Sequence, residues 1–342
     1  MDERRYPVVK LFKPLNVVVV LLVLLLAMPL LTKNSYLLGV LILANIYAVY
    51  AAGWDLLSGY TGRENFGYAL FIGAGAYAVG FISKVFPVQA WLSLPVGGLT
   101  AAAFGLLIGI PCLRLKGPYL ALATLAAAAI AERVVMIFSG VTGGEEGMIG
   151  IAPLSFEPLN SYYYSVIFMA VSIGILYLIG HLPEGLLLKS IKQDETAAEA
   201  AGINTTFHKV LAFVVSAFFG GAAGAFNAHY MGYVGPDAVL NSTISLTVII
   251  MAVVGGTGSI LGAAGGAYLL TLLGEFLKRF GDFHLLFYTA LLVLVVLFMP
   301  KGMINSLALK LPGPGSEPVS RPVSGPGGHS GQVGPGRAGG RQ

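Results

Sequence analysis

Apolar runs of about twenty residues, parted by short polar breaks, make up most of the chain, and the gaps between charged side chains mark where each run begins and ends. A run of about 20 apolar residues crosses the hydrocarbon core of a bilayer as a helix, so the pattern reads as a series of spans. Lys13 and Lys33 enclose the first, at Asn16–Leu31. Lys33 and Asp55 enclose the second, Glu64 and Lys84 the third, Lys84 and Arg114 the fourth. The fifth follows Gly117-Pro118 and carries Glu132 and Arg133 inside it. Glu157 to Glu184 holds the sixth, Lys209 to Asp237 the seventh and Asp282 to Lys301 the last. Between Asp237 and Glu275 a charge-free stretch is interrupted by Gly255-Gly256-Thr257-Gly258. At a rise of about 1.5 Å per residue it predicts two spans that barely cross, or two half-helices around a polar cavity. The expected fold class is an all-α polytopic membrane protein of about ten transmembrane helices.

Charge sets the orientation. With the N-terminus inside, 15 Lys and Arg residues fall on the inner side and four (Lys33, Lys84, Lys278, Arg279) on the outer side, leaving Arg133 within a span. Cytoplasmic loops carry the excess of basic residues, so both termini are expected in the cytoplasm. The basic opening and the VVVVLLVLLLAMPLL run after it read as a cytoplasmic segment, 1–15, leading into an uncleaved first helix, since no small-x-small site precedes Lys33. A membrane domain covers 16–304. Residues 311–342 are Gly/Pro/Ser-rich with almost no apolar content, and are expected to be disordered.

Composition agrees with this reading and removes alternatives. The chain is 56% hydrophobic with mean hydropathy +0.81, above what a soluble domain shows. One cysteine, Cys112, excludes a disulfide framework and a thiolate metal cluster. A net charge of +4 without a clustered basic face does not indicate nucleic-acid binding.

Against this apolar background the segment 184–209, PEGLLLKSIKQDETAAEAAGINTTFHK with its leading proline, stands out. It gathers Glu184, Lys189, Lys192, Asp194, Glu195, Glu199 and Lys209 in a chain that is 11% charged. Thr196-Ala197-Ala198-Glu199 has the spacing of a capping box, Ala197–Ala201 are strong helix formers, and Gly202 suits a left-handed helix end. A short helix is therefore expected, after a longer one ending near Lys192. Two uses fit it: an ordinary solvated loop or a docking surface. An internal echo relates Gly59-Tyr60-Thr61-Gly62 and GAGAY at Gly73–Tyr77 to Gly255-Gly256-Thr257-Gly258 and GGAY at Gly265–Tyr268. Paired broken helices suit a transporter, and chance in a Gly- and Ala-rich chain suits the echo equally.

Other candidates favour plain readings. Glu132 and Arg133 point about 100° apart on a helix and suit a position near the outer face, where Arg133 snorkels. His229, ending the seventh span, and Asp55, beside Trp54, read as interfacial residues; no ligand cluster accompanies the histidine, and no metal site is expected. Gly220, Gly221, Gly224, Gly262 and Gly266 form small-residue packing faces.

DETAAEAAGIN at Asp194–Asn204 resembles the cytoplasmic EAA-type loop of ABC-importer permeases, specifically the branched-chain amino-acid permease family. HKVLAFVVSAFFGGAAGAFNAHYMGYVGP at His208–Pro236, SLTVIIMAVVGGTGSILGAAGGA at Ser245–Ala267 and FMPKG at Phe298–Gly302 are similar to that family. So, in order, are SGYTG at Ser58–Gly62, FGYALFIGAGAY at Phe66–Tyr77, GPYLALATLA at Gly117–Ala126 and TGGEEGM at Thr142–Met148. The resemblance covers roughly residues 36 to 304. It implies that Asp194, Glu195, Thr196, Ala197, Ala198, Glu199 and Gly202 couple to an ATPase. It further implies a related second permease, two ATP-binding subunits, an extracytoplasmic substrate-binding protein and a place in a bacterial or archaeal cell (inner) membrane. The chain itself would bind no cofactor and no nucleic acid, ATP acting through the partners. Broken helices near Thr61, Gly62, Asn65 and Gly67, and near Gly255, Gly256, Thr257 and Gly258, are expected to line the translocation pathway with free backbone groups. Three positions differ from the family's usual pattern. Thr196 stands for glutamate, Arg63-Glu64-Asn65 for Gln-Leu-Ser, and Glu145-Glu146 for small or amide residues. The last two alter the charge near the two mouths and so bear on the substrate.

The expected function is the permease subunit of an ATP-driven importer for branched-chain amino acids or related small polar solutes. Urea or a short amide is the alternative substrate, and an ion-coupled secondary transporter is the alternative class. The sequence has no Gly-Lys dipeptide, hence no phosphate-cradling P-loop, and neither H-E-x-x-H nor G-x-S-x-G, which argues against an enzyme.

Overall fold

The computed structural model describes residues 22–29, 34–85, 89–115 and 117–278. Among them eight helical stretches are long and apolar enough to cross a membrane. These are α2 (Ser35–Thr61), α3 (Tyr68–Val85), α4 (Ala90–Cys112), α5 (Pro118–Ile137), α7 (Pro158–His181), α10 (Thr205–Met231), α11 with α12 (Pro236–Val239 and Ser242–Gly255), and α13 (Ile260–Leu277). Helix α1 is described over residues 22–29. The short α6 (Ser139–Thr142), α8 (Pro183–Gln193) and α9 (Glu195–Ala200) lie between spans. The second to ninth expected spans each coincide with one of the eight. Half of the first, with the last span and the 311–342 tail, lies outside the described residues.

Two 27-residue helices, α2 and α10, form the centre. Asn34 starts α2 by accepting the Tyr36 N–H, and Gly62 ends it in the left-handed region at φ 70°. That conformation costs L-residues with a Cβ about 1–2 kcal/mol, which glycine avoids. From Leu38 onward almost every side chain of α2 is buried against α7, α10, α12 and α13. Asn45 supplies a polar tie deep in this packing. Its Nδ2 donates to Ser165 Oγ of α7 at 2.8 Å, and its Oδ1 accepts from the Tyr268 hydroxyl of α13.

Small residues bring α3, α4 and α10 together almost backbone to backbone. A Cβ on Gly221 would lie 2.2 Å from Ala101 Cβ, and one on Gly224 would lie 2.2 Å from the Ile72 carbonyl oxygen. Gly266 meets the Met251 carbonyl oxygen in the same way at 2.2 Å, closing α13 onto α12. The expected small-residue faces are thus packing faces, as close helix contact in lipid requires. Helix α5 is peripheral and largely unburied, with Ile130, Val134 and Ile137 exposed. At one end of the bundle Met148–Ile149 (β1) pairs antiparallel with Tyr233–Val234 (β2), in register Met148↔Val234.

The region between Asp237 and Glu275 is a hairpin that packs on α2. Helix α12, 14 residues and about 21 Å long, falls short of a hydrocarbon core of about 30 Å. The helical turn α11 extends its reach at the end away from the hairpin turn.

Candidate functional site

The charged segment 184–209 folds as two helices meeting at Asp194. The capping differs from the Thr196–Glu199 box. Asp194, extended at φ −156° and ψ 105°, accepts the Ala197 N–H at 3.0 Å, so it is the N-cap of α9. Glu199 does not reach back; it accepts from the Thr205 hydroxyl at 2.7 Å. A carboxylate three residues before a free N–H is a strong cap, and it displaces the threonine. The helix ends as expected. Gly202 sits at φ 84° and donates to Glu199 O, and Ile203 N–H donates to Ala198 O at 3.1 Å, the paired closure of a left-handed cap.

Glu195 fastens this helix pair to the bundle. Its carboxylate pairs with Arg63 Nη2 from the α2–α3 loop and with Lys209 Nζ from the first turns of α10. Arg63 also donates to the Leu115 carbonyl at 3.2 Å, and both cations are buried. Two nearly dehydrated cations on one carboxylate make a tie in which each charge needs the others. Arg63 is thus drawn into this clasp, which corrects its expected role as a charge at the mouth. Lys192 Nζ donates to the Gly59 carbonyl at 2.7 Å, and Lys189 lies 4.4 Å above the Tyr60 ring. His208 Nδ1 and Glu184 are 2.8 Å apart at the far side.

The α2–α3 loop lies directly beneath. Thr61 Oγ1 donates to Leu57 O at 2.7 Å and accepts from Arg63 N. Asn65 is fully buried: its N–H reaches Ser58 Oγ, its carbonyl accepts from Trp54 Nε1 at 2.7 Å, and its Oδ1 accepts from Gly67 N. Phe66 N–H donates to Thr124 Oγ1 of α5. Gly67 presses on the Thr124 carbonyl, where a Cβ would come within 2.0 Å of the oxygen. The N–H groups of Gly62, Arg63, Asn65, Phe66 and Gly67 are therefore all engaged within the chain.

The second Gly-Thr-Gly turn meets the first. Asp55, fully buried, accepts the Gly258 N–H on Oδ1 at 2.7 Å, and a Cβ on Gly59 would lie 2.6 Å from the same nitrogen. Asp55 is not the interfacial anchor expected beside Trp54; it holds the α12–α13 turn against α2. Gly256 and Gly258 take φ 114° and 82°, and Thr257 is exposed. Thus the coupling candidates and both sets of pathway candidates gather at one end of the bundle.

At the other end His229 is 1% exposed and joins α10 to α4 and the loop after β1. Its Nε2 lies 2.5 Å from Ser93 Oγ and its Nδ1 lies 2.6 Å from Ala152 O. This corrects the interfacial reading. Arg133 is exposed and reaches Met136 Sδ, in keeping with a residue on the outer flank of α5. Glu145 and Glu146 are exposed in the loop before β1. Among the described residues no group of three His, Cys, Asp or Glu side chains is placed to hold a metal ion.

Fold and site together define a predominantly helical, multi-pass membrane protein with a charged helix pair fastened to one end of its bundle. The chain belongs to the family described as branched-chain amino acid transport system / permease component, whose model matches residues 36–296. It is 28% identical to the high-affinity branched-chain amino acid transport system permease protein LivM of Escherichia coli (strain K12), over 84% of this chain and 74% of the relative. It is 27% identical to the LivM of Salmonella typhimurium, over 76% and 68% of the two chains. It is 25% identical to a probable branched-chain amino acid transport permease protein LivH of Methanocaldococcus jannaschii, over 68% and 77%. No solved structure matches it at a comparable level.

Proposed function

We propose that the chain is the membrane-spanning translocation subunit of an ATP-driven importer for branched-chain amino acids, set in a bacterial or archaeal inner membrane with the Arg63 end in the cytoplasm. A related second permease would complete the membrane part, two ATP-binding subunits would dock on α8–α9, and an extracytoplasmic binding protein would deliver the solute. The observation that carries the docking is the two-sidedness of α9. Thr196, Ala197 and Ala200 stand exposed on one side, while on the other Glu195 is pinned between Arg63 and Lys209 and Glu199 accepts from the Thr205 hydroxyl. A push on the exposed side therefore reaches the α2–α3 loop and the start of α10 directly. Through Lys192 on Gly59, and Asp55 on Gly258, it reaches the α12–α13 turn as well.

The test places a bulky charge on the exposed side only. Ala200→Arg is expected to leave the chain folded in the membrane, to abolish co-purification of the ATP-binding subunits and to abolish leucine uptake. Unchanged co-purification and uptake would remove α9 as the coupling element. Uptake driven by a proton or sodium gradient without ATP would remove the ATP-driven class.

A further inference from the structure

Helix α5 is fastened to the bundle along its first half only. Its buried residues are Leu120, Thr124 and Ala128, and none beyond Ala128 is buried. At Thr124 the hold is tight: Phe66 N–H donates to the hydroxyl at 3.1 Å, and Gly67 lies against the carbonyl. Past that point α5 stands off from α3 and α4, and the three helices border a groove of about 760 Å³. Ala74 and Ala78 line it from α3, Phe104 and Leu107 from α4, and Ile130 and Val134 from α5, the last four exposed. Its hydroxyls are already committed or buried. Thr100 Oγ1 donates to Val96 O, Thr142 Oγ1 donates to Val135 O, and Tyr77 Oη is buried. The groove therefore offers hydrocarbon.

Its length is that of one leaflet. Along α5 it runs from Ala127 to Val135, about 12 Å, and along α3 from Leu70 to Ile82, about 18 Å. Half of a hydrocarbon core is about 15 Å deep. Ala127 is the tenth of the 20 residues of α5, so the groove begins near the midplane and reaches the outer loop at Thr142 and Met148. A partner's transmembrane helix crosses both leaflets, and half of it would meet the closed packing at Thr124. An acyl chain enters from one surface and ends at the midplane.

The outer end of the groove carries charges of both signs. Arg133, one turn beyond Ile130, is exposed and reaches outward to Met136 Sδ at 3.5 Å, with no carboxylate partner among the described residues. Glu132 beside it points about 100° away around the helix. Lys84, also exposed, follows Ile82 at the outer end of α3. Glu145 and Glu146, both exposed, lie in sequence between the groove residues Thr142 and Met148. A guanidinium with free N–H groups suits a phosphate, and a carboxylate pair suits an ammonium. A headgroup with negative charge alone would meet the acidic pair.

We propose that this groove holds an acyl chain of a phospholipid of the outer leaflet, with the phosphate on Arg133 and a headgroup ammonium toward Glu145 and Glu146. The chain takes the place of helix-to-helix packing along the outer half of α5. That the leaflet is the outer one follows from the proposed orientation; the lipid site stands apart from the import function.

Photocrosslinking of the full chain tests it. In a Cys112→Ser background, which removes the chain's one cysteine, Ile130→Cys on the groove or Val171→Cys on the exposed side of α7 carries a benzophenone. The chain is purified in mild detergent, with the subunits that accompany it, from membranes containing phosphatidylethanolamine and phosphatidylglycerol. It is then irradiated and weighed by mass spectrometry. The Ile130 probe is expected to gain the mass of phosphatidylethanolamine at several times the yield of the Val171 probe. Arg133→Gln, and Ala78→Trp, which fills the groove, should each lower that yield several-fold. Equal yields at the two positions, an excess of phosphatidylglycerol adduct, or a yield unchanged in Arg133→Gln would overturn the site. A covalent link from Ile130→Cys to another polypeptide would overturn it as well, by giving the groove to a partner subunit.

Discussion

The two ends of the bundle solve opposite problems with the same central helix. Around residues 54–67 α2 and the loop after it are densely bonded within the chain: Trp54, Asp55, Ser58, Thr61, Arg63 and Asn65 each bond to neighbours, while Asp55 Oδ2 and Asn65 Nδ2 have no partner among the described residues. Around residues 43–50 the same helix faces open space and a hydroxyl without a partner. A densely bonded polar network is stiff, because moving one member strands others at a cost in a low-dielectric interior. A cavity is compliant by comparison. Dense polar bonding and open space thus lie at different depths of one helix.

The comparison breaks most sharply at Glu195. Removing it as Glu195→Ala strands Arg63 and Lys209, both buried, and should destabilise the detergent-solubilised chain by about 3–5 kcal/mol, the range for breaking a buried ion pair. Thermal unfolding of the variant beside the parent measures this. A loss below 1 kcal/mol would mean that the three side chains are solvated and that the clasp is loose. Part of the loss should return in a triple variant that also replaces both cations with methionine, because no charge is then left without a partner.

Next in size is Gly59→Ala. Its added methyl would lie 2.0 Å from Asp55 Oδ1 and 2.6 Å from Gly258 N, forcing the two turns apart. Overpacking of this kind costs about 1–3 kcal/mol, and uptake should fall with it. Gly174→Ala in α7, where nothing lies within 4 Å, should change neither. Equal effects at the two positions would show that the contact between the turns carries no special weight.

How far the sequence could be read follows the same division. Span positions were legible because crossing hydrocarbon imposes a contiguous apolar length, and the eight span-length helical stretches fall close to where the charge gaps put them. The small-residue faces and the left-handed Gly202 were legible because each follows from a single residue's sterics. Charge partners were not. Arg63 meets Glu195 from 132 positions away, and Asp55 meets Gly258 from 203 away. Nothing local distinguishes such residues from loop or interface charges. The burial of His229 was hidden likewise, since Ala152 and Ser93 come from distant segments. One signal was available and unused: Asp55 lies six residues before the end of a helix whose sequence is otherwise uncharged, a position deeper than an interface anchor needs.

A smaller effect with a change of sign separates the two ends of α2. Tyr50→Phe removes a hydroxyl that has no partner among the described residues and should leave the chain as stable or about 1 kcal/mol more so. Thr61→Val removes a hydroxyl that donates to Leu57 O and accepts from Arg63 N, and should destabilise by about 1 kcal/mol. If both variants moved stability in the same direction, the contrast between a spare and a committed hydroxyl would be gone.

The finest distinction lies within the coupling segment, between Asp194 and Thr196. Both are candidate helix caps by residue type, but only Asp194 accepts a backbone N–H, that of Ala197 at 3.0 Å. Asp194→Ala should therefore cost about 1 kcal/mol, the usual value of a cap. Thr196→Ala, on an exposed face, should stay within about 0.5 kcal/mol of the parent and slightly favour the helix. Amide hydrogen exchange at Ala197–Ala201 reads this locally: faster exchange in Asp194→Ala alone places the cap at Asp194. Faster exchange in Thr196→Ala instead would restore the capping box to Thr196 and Glu199, freeing Glu199 from Thr205. That outcome would loosen the hold between α9 and α10, and with it one of the two direct routes by which a push on α9 reaches the bundle.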